Sequence, residues 1–205
     1  YYALGITAYF ALGATPIAVA ILMWCSGREP LSTTHWVGVG VSLVGVYLVI
    51  GQGARINSSS LTGDLLTMGA VWCWAVYTVS AQSILKRYSP LTMTTWSMAV
   101  GTALFVPLGL PGLLVLNWHE ISFGAWAGLV YSAIFALCVS YLIWYTAVQR
   151  IGSARTSIYS NMVPVVAMIV AAVWLRESIS TMQIGGAVSI FAGVALTKVR
   201  PPHGC

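Results

Sequence analysis

Along this chain the apolar residues run in long blocks, divided by short polar punctuation, and do not alternate with polar ones. A helix rises ~1.5 Å per residue, so a block of about twenty apolar residues covers the roughly 30 Å hydrocarbon core of a bilayer. Seven such blocks predict seven membrane-spanning helices, near 4–26, 35–52, 64–84, 91–115, 122–148, 154–175 and 181–198. Two of them share an odd layout. "TPIAVAILMWCSGRE" at 15–29 and "SNMVPVVAMIVAAVWLRE" at 160–177 each hold a proline inside the apolar run and close on an Arg-Glu pair at the same distance from it.

That layout belongs to a longer self-match. Residues 16–48 laid on 164–196, an offset of 148 without a gap, share ten identities in 33 positions. Pro16 meets Pro164, Arg28-Glu29 meets Arg176-Glu177, Ser32-Thr33 meets Ser180-Thr181, Gly38 meets Gly186, and Gly45-Val46 meets Gly193-Val194. Apolar composition alone gives about two or three matches and does not put proline, charge and glycine in register, so the chain holds an internal repeat. The second copy starts near Thr62 and contains five spans; the first two spans match its last two. The expectation is therefore a five-helix unit present twice, with three spans, some 85 to 90 residues by the second copy's own length, belonging upstream of Tyr1. The opening "YYALGITAYF" fits this, since it lacks a charged leader or a cleavage site and reads as the interior of something longer. An odd number of spans per copy turns equivalent positions to opposite membrane faces, which is the plan of inverted-repeat transporters.

Charge placement agrees with that reading. The chain is 59% hydrophobic and only 6% charged, against about one quarter charged in soluble domains. Its net charge of +5 is spread between spans and not gathered into a patch, which excludes a nucleic-acid surface. Placing Arg28, Lys86, Arg87, Arg150, Arg155, Lys198 and Arg200 on one face leaves Arg55 and Arg176 on the other, and the richer face is the cytoplasmic one. The C-terminal tail is then cytoplasmic. Cys25, Cys73, Cys138 and Cys205 show no metal or redox spacing, and no cofactor is indicated.

The start of the second copy, "GDLLTMGAVWCWAVYTV", resembles the opening of an EamA-type repeat of the drug/metabolite transporter superfamily. The doubled pattern Pro16/Glu29/Gly38/Gly45 and Pro164/Glu177/Gly186/Gly193 resembles the close of such a repeat. The resemblance implies an all-α, polytopic membrane bundle, here seven helices of a ten-helix (5+5) inverted-repeat transporter. Residues 1–55 would be the last two helices of the first repeat and 62–200 the complete second repeat. It also implies an exporter or exchanger of small metabolites in a bacterial inner membrane, working by alternating access around a central cavity. Its partners are then a small-molecule substrate and the lipid bilayer, with no nucleic acid; a homodimer is left open. A non-transporting membrane scaffold or regulator that keeps the repeat fold is the alternative.

Candidate contact residues come from the spans themselves. Pro164 removes an N–H and frees the carbonyl of Ser160 at membrane depth, where it must find protein, water or substrate; a plain packing kink is the other reading. Ser153, Ser157, Ser160, Asn161 and Pro164 form one stripe at helical spacing, suited to a cavity wall or to hydrogen bonds between helices. Its counterpart in the first copy is Gly5, Tyr9, Leu12, Gly13 and Pro16, so the copies share a scaffold but not a lining. Trp74 and Tyr77, Trp96, and Tyr131 and Tyr141 add rings with polar tips, as substrate contacts or as core. Trp24, Trp36, Trp118, Trp126 and Trp174 sit near span ends as interfacial anchors. No acid or base lies near the centre of any span, which favours neutral, zwitterionic or amphipathic solutes over strongly charged ones. An intramembrane hydrolase is excluded by inventory: His35 and His119 lie at or between span ends, and Asp64 is the only aspartate.

Overall fold

The computed structural model describes residues 3–27, 31–50 and 61–198, with side chains in the first helix from Gly13 onward. The Arg28-Glu29 pair, Arg55, the link at 51–60 and the tail after Lys198 lie outside the described residues, as do the side chains of Leu12, Asp64 and His119. Helices α1 (Ala3–Cys25), α2 (Thr33–Ile50), α3 (Leu61–Ile84) and α4 (Pro90–Val115) are followed by a 3-10 turn at Trp118–Glu120. Then come α5 (Phe123–Ile151), α6 (Ser153–Trp174) and α7 (Thr181–Lys198). Among the described residues there is no strand, and α2, α4, α5 and α6 are each long and apolar enough to cross a membrane. The architecture is all-helical and multi-pass.

Two of these helices are not single α-helices, contrary to the uniform spans the apolar pattern predicts. Within α5, residues Ser132–Val139 take the wider π winding, and the Ser140 hydroxyl donates back to the Phe135 carbonyl at 2.9 Å. Within α6, Tyr159–Met162 tighten into a 3-10 turn between two α segments. By contrast Pro16 lies inside an uninterrupted α1.

Local chemistry explains several repeat identities. Ser32 and Ser180 cap equivalent helices: the Ser32 hydroxyl accepts from the His35 N–H at 3.2 Å, and the Ser180 hydroxyl accepts from the Gln183 N–H at 3.2 Å. Gln183 completes a capping box by accepting from the Ser180 N–H at 2.9 Å. At the far end of α6, Arg176 takes a left-handed conformation (φ 55°), while the Leu175 and Glu177 N–H groups both reach the Ala171 carbonyl. The second Arg-Glu pair thus stops a helix through its backbone.

The contacts divide the chain into two compact units, residues 1–80 with 153–205, and residues 81–152. In the first, Ala18, Val19 and Met23 of α1 pack with Val71, Ala75 and Val79 of α3 and Ala154 of α6. A second cluster joins Val39, Val46 and Val49 of α2, Ile158 and Val165 of α6, and Ile190 and Val194 of α7. Lipid is as apolar as these side chains, so dispersion and close fit hold such a bundle more than escape from water does. In the second unit the Gln149 amide donates to the Leu85 carbonyl at 2.8 Å, tying the end of α5 to the turn after α3. The most apolar stretches of α4 and α5 contain no buried residue.

Helices α2 and α7 approach each other backbone to backbone. A Cβ added at Gly38 would lie 2.6 Å from the Gly193 carbonyl oxygen, and one at Gly45 would lie 2.6 Å from that of Gly186. Built from the other side, Gly193 meets the Gly38 oxygen at 2.5 Å and Gly186 meets the Gly45 oxygen at 2.8 Å. Only glycine permits this approach. The two helices run antiparallel, and moving by the repeat offset turns one contact into the other, since Gly38 corresponds to Gly186 and Gly45 to Gly193. The pair therefore has the local two-fold symmetry of an inverted repeat.

Candidate functional site

The break in α6 places a fully buried amide, that of Asn161. Pro164 brings no N–H, so the Ser160 carbonyl has no ordinary i+4 partner; the Val163 N–H takes it in a 3-10 bond instead. Of the partners open to this carbonyl, protein, water or substrate, the tightened turn supplies protein, from its own backbone. What the turn presents is the Asn161 side chain. It is 0% exposed, and its Nδ2 donates to the Ser42 hydroxyl of α2 at 2.6 Å. Among the described residues its Oδ1 has no hydrogen-bond partner. A buried amide oxygen left unpaired costs about 1–3 kcal/mol, so this one invites a donor.

Ser42 sits at the two-fold centre of the α2–α7 pair: the added Cβ at Gly193 meets Ser42 N at 2.6 Å and Ser42 Cβ at 2.7 Å. It was not singled out from the sequence. A lone serine in an apolar helix carries no periodic signal, and its partner is far along the chain. Two other members of the α6 stripe bond to backbone carbonyls. Ser153 donates to the Thr78 carbonyl of α3 at 3.1 Å, and Ser157 donates to Ala154 of its own helix at 2.9 Å. Ser160 is half-buried and Pro164 buried.

The predicted aromatic contacts divide between the units. Trp74 and Tyr77 are half-buried in α3 of the first unit, their ring centroids 5.7 Å apart. In the second unit Tyr141 lies 6.0 Å from the fully buried Tyr145, whereas Trp96 and Tyr131 are 66% and 64% exposed, Tyr131 against Phe135 at 4.8 Å. The fold gathers Ser160, Asn161 and Pro164 at one turn and gives Trp96 and Tyr131 no enclosed place. Of the tryptophans expected at span ends, Trp118 and Trp126 stack at 6.1 Å, and Trp24 and Trp174 are exposed.

The first unit also holds a cavity of about 360 Å³. Gly13, Ala14, Ile17, Ala18 and Ile21 of α1 form one side, Leu43 of α2 another, and Met68, Val71 and Trp72 of α3 the rest. The lining is almost wholly apolar. Gly13 is the repeat counterpart of Asn161: where one copy puts an amide, the other leaves a space.

Residues 61–199 match the EamA-like transporter family. Among individual proteins, the chain is 31% identical over 186 residues to the uncharacterized transporter YyaM of Bacillus subtilis, covering 89% of this chain and 61% of that protein. It is 28% identical over 189 residues to an uncharacterized transporter of Archaeoglobus fulgidus, covering 89% and 64%. It is 26% identical over 187 residues to the threonine/homoserine exporter RhtA of Escherichia coli, covering 89% and 59%. The chain thus spans about three fifths of the length of these relatives.

Proposed function

Because the chain belongs to the EamA-like transporter family, we propose that it forms the larger part of a carrier that exports or exchanges small neutral, zwitterionic or amphipathic metabolites by alternating access. It is a membrane transporter and not an enzyme. All seven helices span the membrane, two closing a first five-helix copy and five forming the second, in a bacterial inner membrane with the C-terminus cytoplasmic. The observation that carries this reading is the reciprocal glycine contact between α2 and α7, Gly38 on Gly193 and Gly45 on Gly186. Two antiparallel equivalent helices can rock about such a close glycine seam while the rest of each copy moves with them, which is how inverted repeats exchange access between faces.

The solute meets the α6 turn, at Asn161 with Ser160 and Pro164 beside it, and the Trp74–Tyr77 pair of α3 supplies ring faces. Tyr141, Trp96 and Tyr131 are the second unit's candidates. The resemblance to RhtA directs the first assay to neutral amino acids. In vesicles carrying the protein expressed from its complete coding sequence, counterflow of labelled threonine, homoserine and leucine is expected. Asn161→Ala should cut it at least tenfold with normal amounts of folded protein, and Tyr141→Phe should cut it severalfold. Unchanged flux in Asn161→Ala removes the α6 turn from the site; flux for none of a broad set of neutral solutes removes the carrier.

A further inference from the structure

Resting on that reading, we infer that the cavity at Gly13 is the subsite for the apolar part of the solute, so that the site selects molecules joining a hydrogen-bond donor to a compact hydrocarbon or aromatic group. The volume, about 360 Å³, lies within the range of small-molecule sites, and small residues create it: Gly13, Ala14 and Ala18 stand where larger side chains would close it. A Cβ at Gly13 would already touch the Leu43 side chain at 3.1 Å, so any enlargement there intrudes on the space.

The cavity neighbours the polar turn through α2, where Leu43, which lines it, follows Ser42, the residue bonded to Asn161. Ile17 and Leu43 also pack against the cluster that holds Ile158 and Val165, which lie on either side of Asn161 in the sequence. A solute's ammonium or hydroxyl donor suits Asn161 Oδ1, and its apolar body suits the cavity lined by Ile17 and Leu43. A lipid chain would fill the same space but has no donor to offer the amide, which is why a solute is the better occupant.

The test separates slope from offset. Binding of an L-amino acid series, alanine, valine, leucine and phenylalanine, is measured on the purified complete protein by displacement of a labelled member. In the wild type each added buried methylene should tighten binding about fourfold. Gly13→Leu should flatten that dependence, so that valine, leucine and phenylalanine bind no more tightly than alanine. Asn161→Ala should weaken every member by a similar factor and keep the dependence. Trp72→Ala, which enlarges the cavity from its half-exposed wall, should move the preference toward the bulkiest member and guards against a misfolded Gly13→Leu. A wild-type series with no dependence on side-chain size, or one that survives Gly13→Leu intact, overturns the subsite, as does a purified protein whose cavity holds lipid that phenylalanine does not displace. Normal binding with no transport in vesicles overturns the carrier reading and leaves the subsite standing.

Discussion

Helices α1 and α6 are the same helix by sequence and different ones by structure. Both carry proline at the equivalent place, Pro16 and Pro164, yet α1 runs unbroken from Ala3 to Cys25 while α6 tightens into a 3-10 turn at Tyr159–Met162. Proline alone therefore does not decide the outcome. The copies differ three positions earlier: Asn161 reaches across to Ser42 at 2.6 Å, whereas Gly13 has no side chain to reach with. The same difference makes one copy polar at the centre and leaves the other with an apolar cavity. A duplicated scaffold can thus serve two chemistries if its shared contacts, the glycine seam and the serine caps, are kept apart from its unshared ones.

The comparison can be broken at several depths. The largest effects belong to the shared seam. Gly38→Val and its counterpart Gly186→Val each drive a side chain into backbone, as do Gly45→Val and Gly193→Val, and each should cost about 3 kcal/mol or more, the upper end of overpacking. Thermal unfolding in detergent should show equal losses within each equivalent pair; a large loss on one side only would mean that the two helices are not related as described. Next comes the unshared polar pair. Ser42→Ala strips Asn161 of its one acceptor and should destabilise by about 1–3 kcal/mol, while the double change Ser42→Ala with Asn161→Leu should recover most of that loss, since replacing both partners removes the unpaired amide. Smaller again is the proline contrast. Pro16→Ala should stabilise by about 1 kcal/mol or a little more, below the full helix-interior penalty because α1 already accommodates it, and leave transport intact. Pro164→Ala should instead slow transport by letting the turn relax toward α-helix. The smallest is Arg176→Gly, which relieves a left-handed conformation worth roughly 1 kcal/mol with no change in flux.

Much of the fold was legible because the forces that set it are periodic or local. Apolar block length marked where α1 to α7 lie, and the repeat register paired the glycines and serines that the structure turns into seam and caps. The π winding in α5 was not legible: Ser132–Val139 are as apolar as their neighbours, and winding leaves no trace in hydropathy. The site was half legible. Asn161 stood out as a polar residue beside a proline, but Ser42 did not, because a hydrogen bond between α2 and α6 is a tertiary fact. Trp96 and Tyr131 are largely exposed in the second unit, a fact of packing that a helix apolar all round does not declare in its sequence. The cavity was invisible for a simpler reason: it is made by a side chain Gly13 lacks.

The central claim is that α2 and α7 are one helix present twice in opposite orientations. The direct measurement is labelling of Ser32→Cys and Ser180→Cys, equivalent caps in a cysteine-free background, with a thiol reagent that does not cross the membrane. Labelling of Ser180→Cys in intact cells, with Ser32→Cys reacting only after permeabilisation, is the predicted result. Reaction of both from the same side would contradict it.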